Sequence, residues 1–229
     1  MKEKWFGSVM AGIYIAMGAM VYLCIPNKIV ASLFFSTGIL LVLNLHNMLV
    51  TRVCPLAVYN GSYGIKDMAI AWIGNGIGTV IVAVSIHFTR FEAGILDRVF
   101  EIGTSKLEDS PVSLFILGIF CAIFVAYAVL IGGVKSKKGS FSQIFYVWLF
   151  ITAFVFCGFE HIVADMYYLA VYTINFEVQA ADIIKLLLCV TAGNLLGGVF
   201  WHTNSQYKEM YWLREKVMKK LIHKVMFTL

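Results

Sequence analysis

The chain has 229 residues, 60% of them hydrophobic and 14% charged, with a formal net charge of +5 and a mean hydropathy of +0.83. Soluble domains carry about 25% charged residues, so the composition excludes a soluble fold. The apolar runs are each about 20 residues long, which suits membrane helices and not the short alternating strands of an outer-membrane barrel. The basic residues sit in loops and tail, where they orient a membrane protein and give no reason to invoke nucleic acid.

Span one is expected from about Trp5 to Cys24, stopping at the turn signal Pro26-Asn27-Lys28. Its length and the lack of a small-residue cleavage site mark it as a retained span, not a signal peptide. Span two starts near Ile29 and meets polar groups at residues 43 to 50, continuing through Thr51 to Tyr59 before the Asn60-Gly61 turn. Span three covers about Met68 to Phe88 and span four about Val112 to Ile131; residues 89 to 112 between them predict a short amphipathic helix over Phe91 to Ile102 on the outer face. Span five runs from about Phe145 to Tyr172 with a break, and span six from about Ile183 to His202. Six crossings place both termini on one side. All 18 lysines and arginines except Lys28, Arg90, Arg98, Lys106 and Lys185 lie on that side, which makes it the cytoplasm. Residues 1–203 thus read as one six-span domain, and 204–229 as an amphipathic tail for the cytoplasmic membrane surface. Cys24, Cys54, Cys121, Cys157 and Cys189 form no CxxC pair and suit no metal, so neither metal nor other cofactor is expected.

Glu160, His161 and Asp165 stand in the middle of an apolar run. Each charged group at membrane depth costs about 2.5–3.5 kcal/mol, so such residues face a bundle interior or a polar cavity. Leu169-Ala-Val-Tyr172 repeats Leu56-Ala-Val-Tyr59 at an offset of 113, and Gly193-Asn194 followed by Gly197 repeats Gly74-Asn75 followed by Gly78 at 119. Interrupted apolar segments at matching places in two halves mark a repeat transporter with its site near the midplane. The repeats are placed at about 5–88 and 112–203. The offset of 113 sets Arg52 opposite Asp165, and two opposite charges at equivalent positions predict a buried pair joining the broken segments. The other reading has Arg52 as a vestibular charge and Asp165 at a half-helix N-terminus.

Gly158-Phe-Glu-His161 followed by Met166, Gly193-Asn194-Leu-Leu-Gly-Gly198, and Phe35-Ser36-Thr37-Gly38 before the first break resemble the formate/nitrite transporter family over nearly the whole chain. The resemblance implies an all-α, aquaporin-like protomer with broken second and fifth spans, assembled as a homopentamer in the cytoplasmic membrane. It implies a channel, not an enzyme, passing formate, nitrite, hydrosulfide or a short carboxylate. It further implies that His161 is the central pore histidine and Thr51 its partner, with Asn194 also at the centre. Phe35, Ile39, Leu49 and Phe154 are then the constriction, and Lys106 a basic residue of the outer vestibule. Glu160 and Asn75 are assigned to support the backbone freed by the breaks. Asn47, Met48, Val50, Arg52, Ala122 and Asp165 depart from the family pattern, the last two standing where it has asparagine. Two further readings stay open: an aquaporin-like facilitator of neutral solutes, and a haem-binding anchor using His46, His87, His161 and His202.

Overall fold

The structure is a computed structural model describing residues 1–135, 137 and 139–199, and every element among these is helical. In chain order they are α1 (Lys2–Cys24), α2 (Lys28–Asn44), α3 (Val50–Asn60), α4 (Ile65–His87), α5 (Leu96–Glu108), α6 (Pro111–Tyr127), α7 (Phe141–Cys157) and α8 (Ile162–Asn175), followed by α9 (Ala180–Val199). A single 3₁₀ turn, Glu92–Gly94, precedes α5, and α6 passes into wider π-helical turns over Ala128–Lys135. Among the described residues α1, α4, Pro111–Val134 and α9 are each long and apolar enough to cross a bilayer, and α7 with α8 forms one more apolar path bent by 50°. The chain is therefore a multi-pass membrane protein.

Short signals set the helix ends. Asn27 accepts from the Val30 N–H at 3.1 Å to start α2, and Ser110 accepts from Ser113 at 3.2 Å ahead of Pro111, which has no N–H to leave unpaired. Gly158 ends α7 at φ +75°, a left-handed conformation that suits glycine. In α3, Pro55 has no N–H to offer the Thr51 carbonyl one turn back.

With lipid on the outside, helix pairing relies on close approach and not on the hydrophobic effect. A Cβ on Gly12 would sit 2.1 Å from the Asn75 carbonyl oxygen, and one on Gly193 would sit 2.3 Å from that of Phe115. These contacts bring α1 against α4 and α6 against α9, the same relation in both halves of the chain.

Two expectations shift. The helix between spans three and four runs over Leu96–Glu108, not Phe91–Ile102, and while Asp97, Phe100, Glu101, Ser105 and Glu108 are exposed, its other face packs into the protein. Val99, Gly103 and Leu107 are buried, Gly103 lies against the Tyr172 ring, and Arg98 donates to the carbonyls of Tyr22 and Ile25 at the end of α1. Span six begins at Ala180, three residues before the expected start; its end, with His202, and the amphipathic tail from residue 204 lie outside the described residues.

Gly193→Ala forces α6 and α9 apart, and overpacking of this kind costs about 1–3 kcal/mol. A lower midpoint of thermal unfolding in detergent, with a similar drop for Gly12→Ala, is the expected result. Wild-type stability in both variants would show that the helices part without loss.

Candidate functional site

The site is built at two interruptions. The chain leaves the helix at 45–49, where His46 takes φ +56°, and again at 158–161. Non-helical backbone at membrane depth must find partners within the protein. At the first interruption Asn75 on α4 accepts from the Val50 N–H at 2.9 Å, while its amide donates to the carbonyls of Met48 at 2.9 Å and Ser8 at 2.8 Å. At the second, Asn194 on α9 accepts from the Ile162 N–H at 3.0 Å and donates to the carbonyls of Glu160 and Gly118, both at 2.9 Å.

The two arrangements match bond for bond, and they set the register between the halves. Val50 corresponds to Ile162 and Met48 to Glu160, an offset of 112 and not the 113 of the Leu-Ala-Val-Tyr repeat. Leu49 thus stands opposite His161, and Arg52 opposite Ala164. The expected Arg52–Asp165 pair does not form: Arg52 donates to the Asn47 carbonyl at 3.1 Å and to the Tyr63 hydroxyl at 3.4 Å, while Asp165 lies 2.9 Å from Lys106 Nζ.

His161 is the residue preceding α8, and its Nδ1 accepts the Ala164 N–H at 3.3 Å. With Nδ1 accepting, the ring is a neutral imidazole carrying its hydrogen on Nε2. Nε2–H then donates to Thr51 Oγ1 at 3.0 Å, leaving the threonine hydroxyl hydrogen unspent. Phe154 stacks on the imidazole with centroids 5.8 Å apart, and Phe35 meets Phe154 edge-on at 6.2 Å.

A cavity of about 570 Å³ reaches this cluster, and an open depression of similar volume lies at the first interruption. One is lined by Phe35, Phe154, His161, Lys106, Glu160 and Asp165, the other by Lys2, Lys4, Asn47 and Met48 among others. Leu49 and Ile39 are fully buried and line neither. Asn194 closes the break, the part expected of Asn75, and also lines a small enclosed cavity together with Thr51.

Lys106 is not an exposed loop charge. Only 12% of its side chain is accessible, because α5 folds inward and sets the ammonium against Glu160 and Asp165. Burial alone would lower its pKa; the pull of Asp165 and Glu160 reverses this and holds it above the usual lysine range. Glu160 accordingly gives its carboxylate to Lys106, and only its carbonyl takes part in the break. The sequence pointed to Arg52 as the cation beside Asp165; the structure supplies Lys106 instead.

Fold and site together define a helical membrane transporter with a neutral, buried polar pair at the end of a cavity. The profile of the formate/nitrite transporter family matches residues 1–207, and the chain belongs to that family. It is 27% identical over 214 residues to the nitrite transporter NirC of Salmonella typhimurium, covering 85% of this chain and 78% of that one. It is also 27% identical over 202 residues to the formate channel FocA of Haemophilus influenzae, covering 75% and 70%. The match to the uncharacterized transporter YwcJ of Bacillus subtilis is 29% over 146 residues and spans 58% of this chain but only 55% of that relative. Among solved structures, an FNT family ion channel superposes with a TM-score of 0.78 at 26% identity over 89% of both chains. A pentameric formate channel with formate bound gives 0.75 at 21%, covering 93% of this chain and 97% of that one.

Asn194→Ala strands the Ile162 N–H and two carbonyls without water to replace the amide, a loss of about 1–3 kcal/mol for an unsatisfied buried group. The midpoint of thermal unfolding in detergent should fall accordingly, and Asn75→Ala should match it. An unchanged midpoint for both would mean that other groups close the breaks.

Proposed function

We propose that the chain forms a channel for a small monovalent anion, of the formate or nitrite kind, in the cytoplasmic membrane. The observation that carries this is the buried Thr51–His161 pair, which stands at the inner end of the cavity lined by Phe35 and Phe154 and presents hydrogen-bond donors beside an apolar ring pair. In this reading α2 with α3 and α7 with α8 are two broken spans of six, related as inverted repeats within residues 1–203. Both termini face the cytoplasm, as the basic-residue distribution requires. The formate-bound pentameric structural neighbour supports a homopentamer, each subunit set among lipid.

An anion leaves water at the cavity lined by Phe35 and Phe154 and crosses a filter of Phe35, Phe154, Ile39 and Leu49. Its dehydration must be offset there, since an ion in an apolar medium is prohibitively costly. His161 Nε2–H can turn from Thr51 to the anion, and the Thr51 hydroxyl can donate its own hydrogen. Both are neutral donors, so the anion is held without being trapped. Passage as the neutral acid adds one requirement. His161 can lend a proton only after Nδ1 is protonated, which means releasing the Ala164 N–H. Hydrosulfide and short carboxylates fit the same scheme. A neutral-solute facilitator is disfavoured, because the family is one of formate and nitrite transporters.

His161→Phe keeps the bulk and removes the donor; uptake of formate and nitrite into proteoliposomes is expected to fall to background while the oligomer still elutes as wild type. Phe154→Ala widens the filter and is expected to raise flux and loosen selectivity among the same anions. Uptake unaltered by both changes would place the pathway elsewhere.

A further inference from the structure

Asp165 is 1% exposed, and neither of its carboxylate oxygens makes a hydrogen bond. Oδ1 is within ion-pair distance of Lys106, at 2.9 Å, but without the alignment of a hydrogen bond; the aligned partner of that ammonium is Glu160. Asp165 also lines the cavity that reaches His161. Here two buried carboxylates face one ammonium. The N-terminus of α8 adds only about half a positive charge, which leaves a surplus negative charge on side chains that are almost wholly buried. Buried like charges of this kind are relieved by taking up a proton.

None of the remaining polar and charged neighbours hydrogen-bonds or ion-pairs with Asp165. Arg98 on α5 is committed to the carbonyls of Tyr22 and Ile25 and lies over the Tyr22 ring. Tyr168 on α8 presents its ring face to Lys106, at 5.9 Å from the ammonium. Cys121 on α6 is a buried thiol, and His161 is held neutral by its two contacts. Lys28 and Glu101, at the rim of the cavity, are of opposite sign.

We propose that Asp165 is a proton-binding site of the α5-side cavity, and that its occupancy sets the charge an entering anion meets. The cavity lining holds Lys28, Arg98 and Lys106 against Glu101, Glu160 and Asp165. With Asp165 ionised these balance; with Asp165 protonated the cavity is one unit positive and draws anions in. Anion entry therefore strengthens in acid and weakens as the proton leaves. The effect on flux rests on the channel reading above, whereas the proton site does not.

The test uses the full-length protein in lipid vesicles at equal pH on both sides. Infrared spectroscopy should show the carbonyl stretch of a protonated carboxyl in mildly acidic buffer, fading in mildly alkaline buffer, absent in Asp165→Asn and shifted but retained in Asp165→Glu. Formate is the transport probe, and taking the ratio of Asp165→Asn to wild-type flux cancels the titration of formate itself. That ratio should rise on the order of tenfold from mildly acidic to mildly alkaline buffer, as one unit charge near a partly buried path requires. A band that survives in Asp165→Asn, or none in wild type at any of these pH values, overturns the proton site. Sodium-dependent loss of the band would instead assign the oxygens to a metal cation and overturn it equally. A band that behaves as expected with a flat flux ratio overturns the charge-setting role. If Asp165→Asn does not fold, the band shift in Asp165→Glu decides the site. The band is read even from protein that carries no formate, so failure of the channel reading leaves a distinct signature.

Discussion

Everything at the centre of this protein depends on two asparagines satisfying backbone that would otherwise be stranded in a medium without water. Asn75 and Asn194 each accept one N–H at the start of a half-helix and donate to two carbonyls, one of them in the adjoining break. An orphan amide or carbonyl at that depth costs several kcal/mol, so without them the helices would have no means of stopping and restarting there. Because the chain does stop, Leu49 and His161 stand as the residues before two facing half-helices, and Thr51 comes within reach of the imidazole.

The same constraint defines the chemistry of His161. A residue at that position offers its side chain to the first N–H groups of the helix it precedes, and Nδ1 does so through Ala164. The imidazole is thereby fixed as a donor at Nε2, aimed at Thr51. This makes the centre an uncharged pair of donors, suited to brief contact with an anion. The charged groups are displaced to one side: Lys106, Glu160 and Asp165 gather where α5 folds over the mouth of the cavity. In the proposed channel, charge that attracts and neutral dipoles that pass an ion onward would thus be separated.

Asp165, which the family resemblance reads as replacing an amide, adds an acid to a pair already balanced between Lys106 and Glu160. The surplus is absorbed locally and does not reach Arg52, which is bound to Asn47 and Tyr63 at the other interruption.

Much of the fold was legible in the chain, because membrane insertion requires long apolar runs and tolerates ionisable groups only where they are sheltered. Composition identified the membrane protein, the polar interruptions located both breaks, and Glu160, His161 and Asp165 located the centre. The Gly-Asn repeats at 74–75 and 193–194 pointed to the two residues that close the breaks, although not to Asn194 as the counterpart of Asn75 in role. Tertiary structure alone decided the register and the ion pairs. Four apolar letters repeat at 113, but the backbone bonds that fix the alignment repeat at 112, and one residue turns a side chain by about 100° around a helix. The partner of Asp165 was likewise beyond the sequence: the repeat pointed to Arg52, whereas Gly103 and the buried face of α5 bring Lys106 inward from a helix far away along the chain.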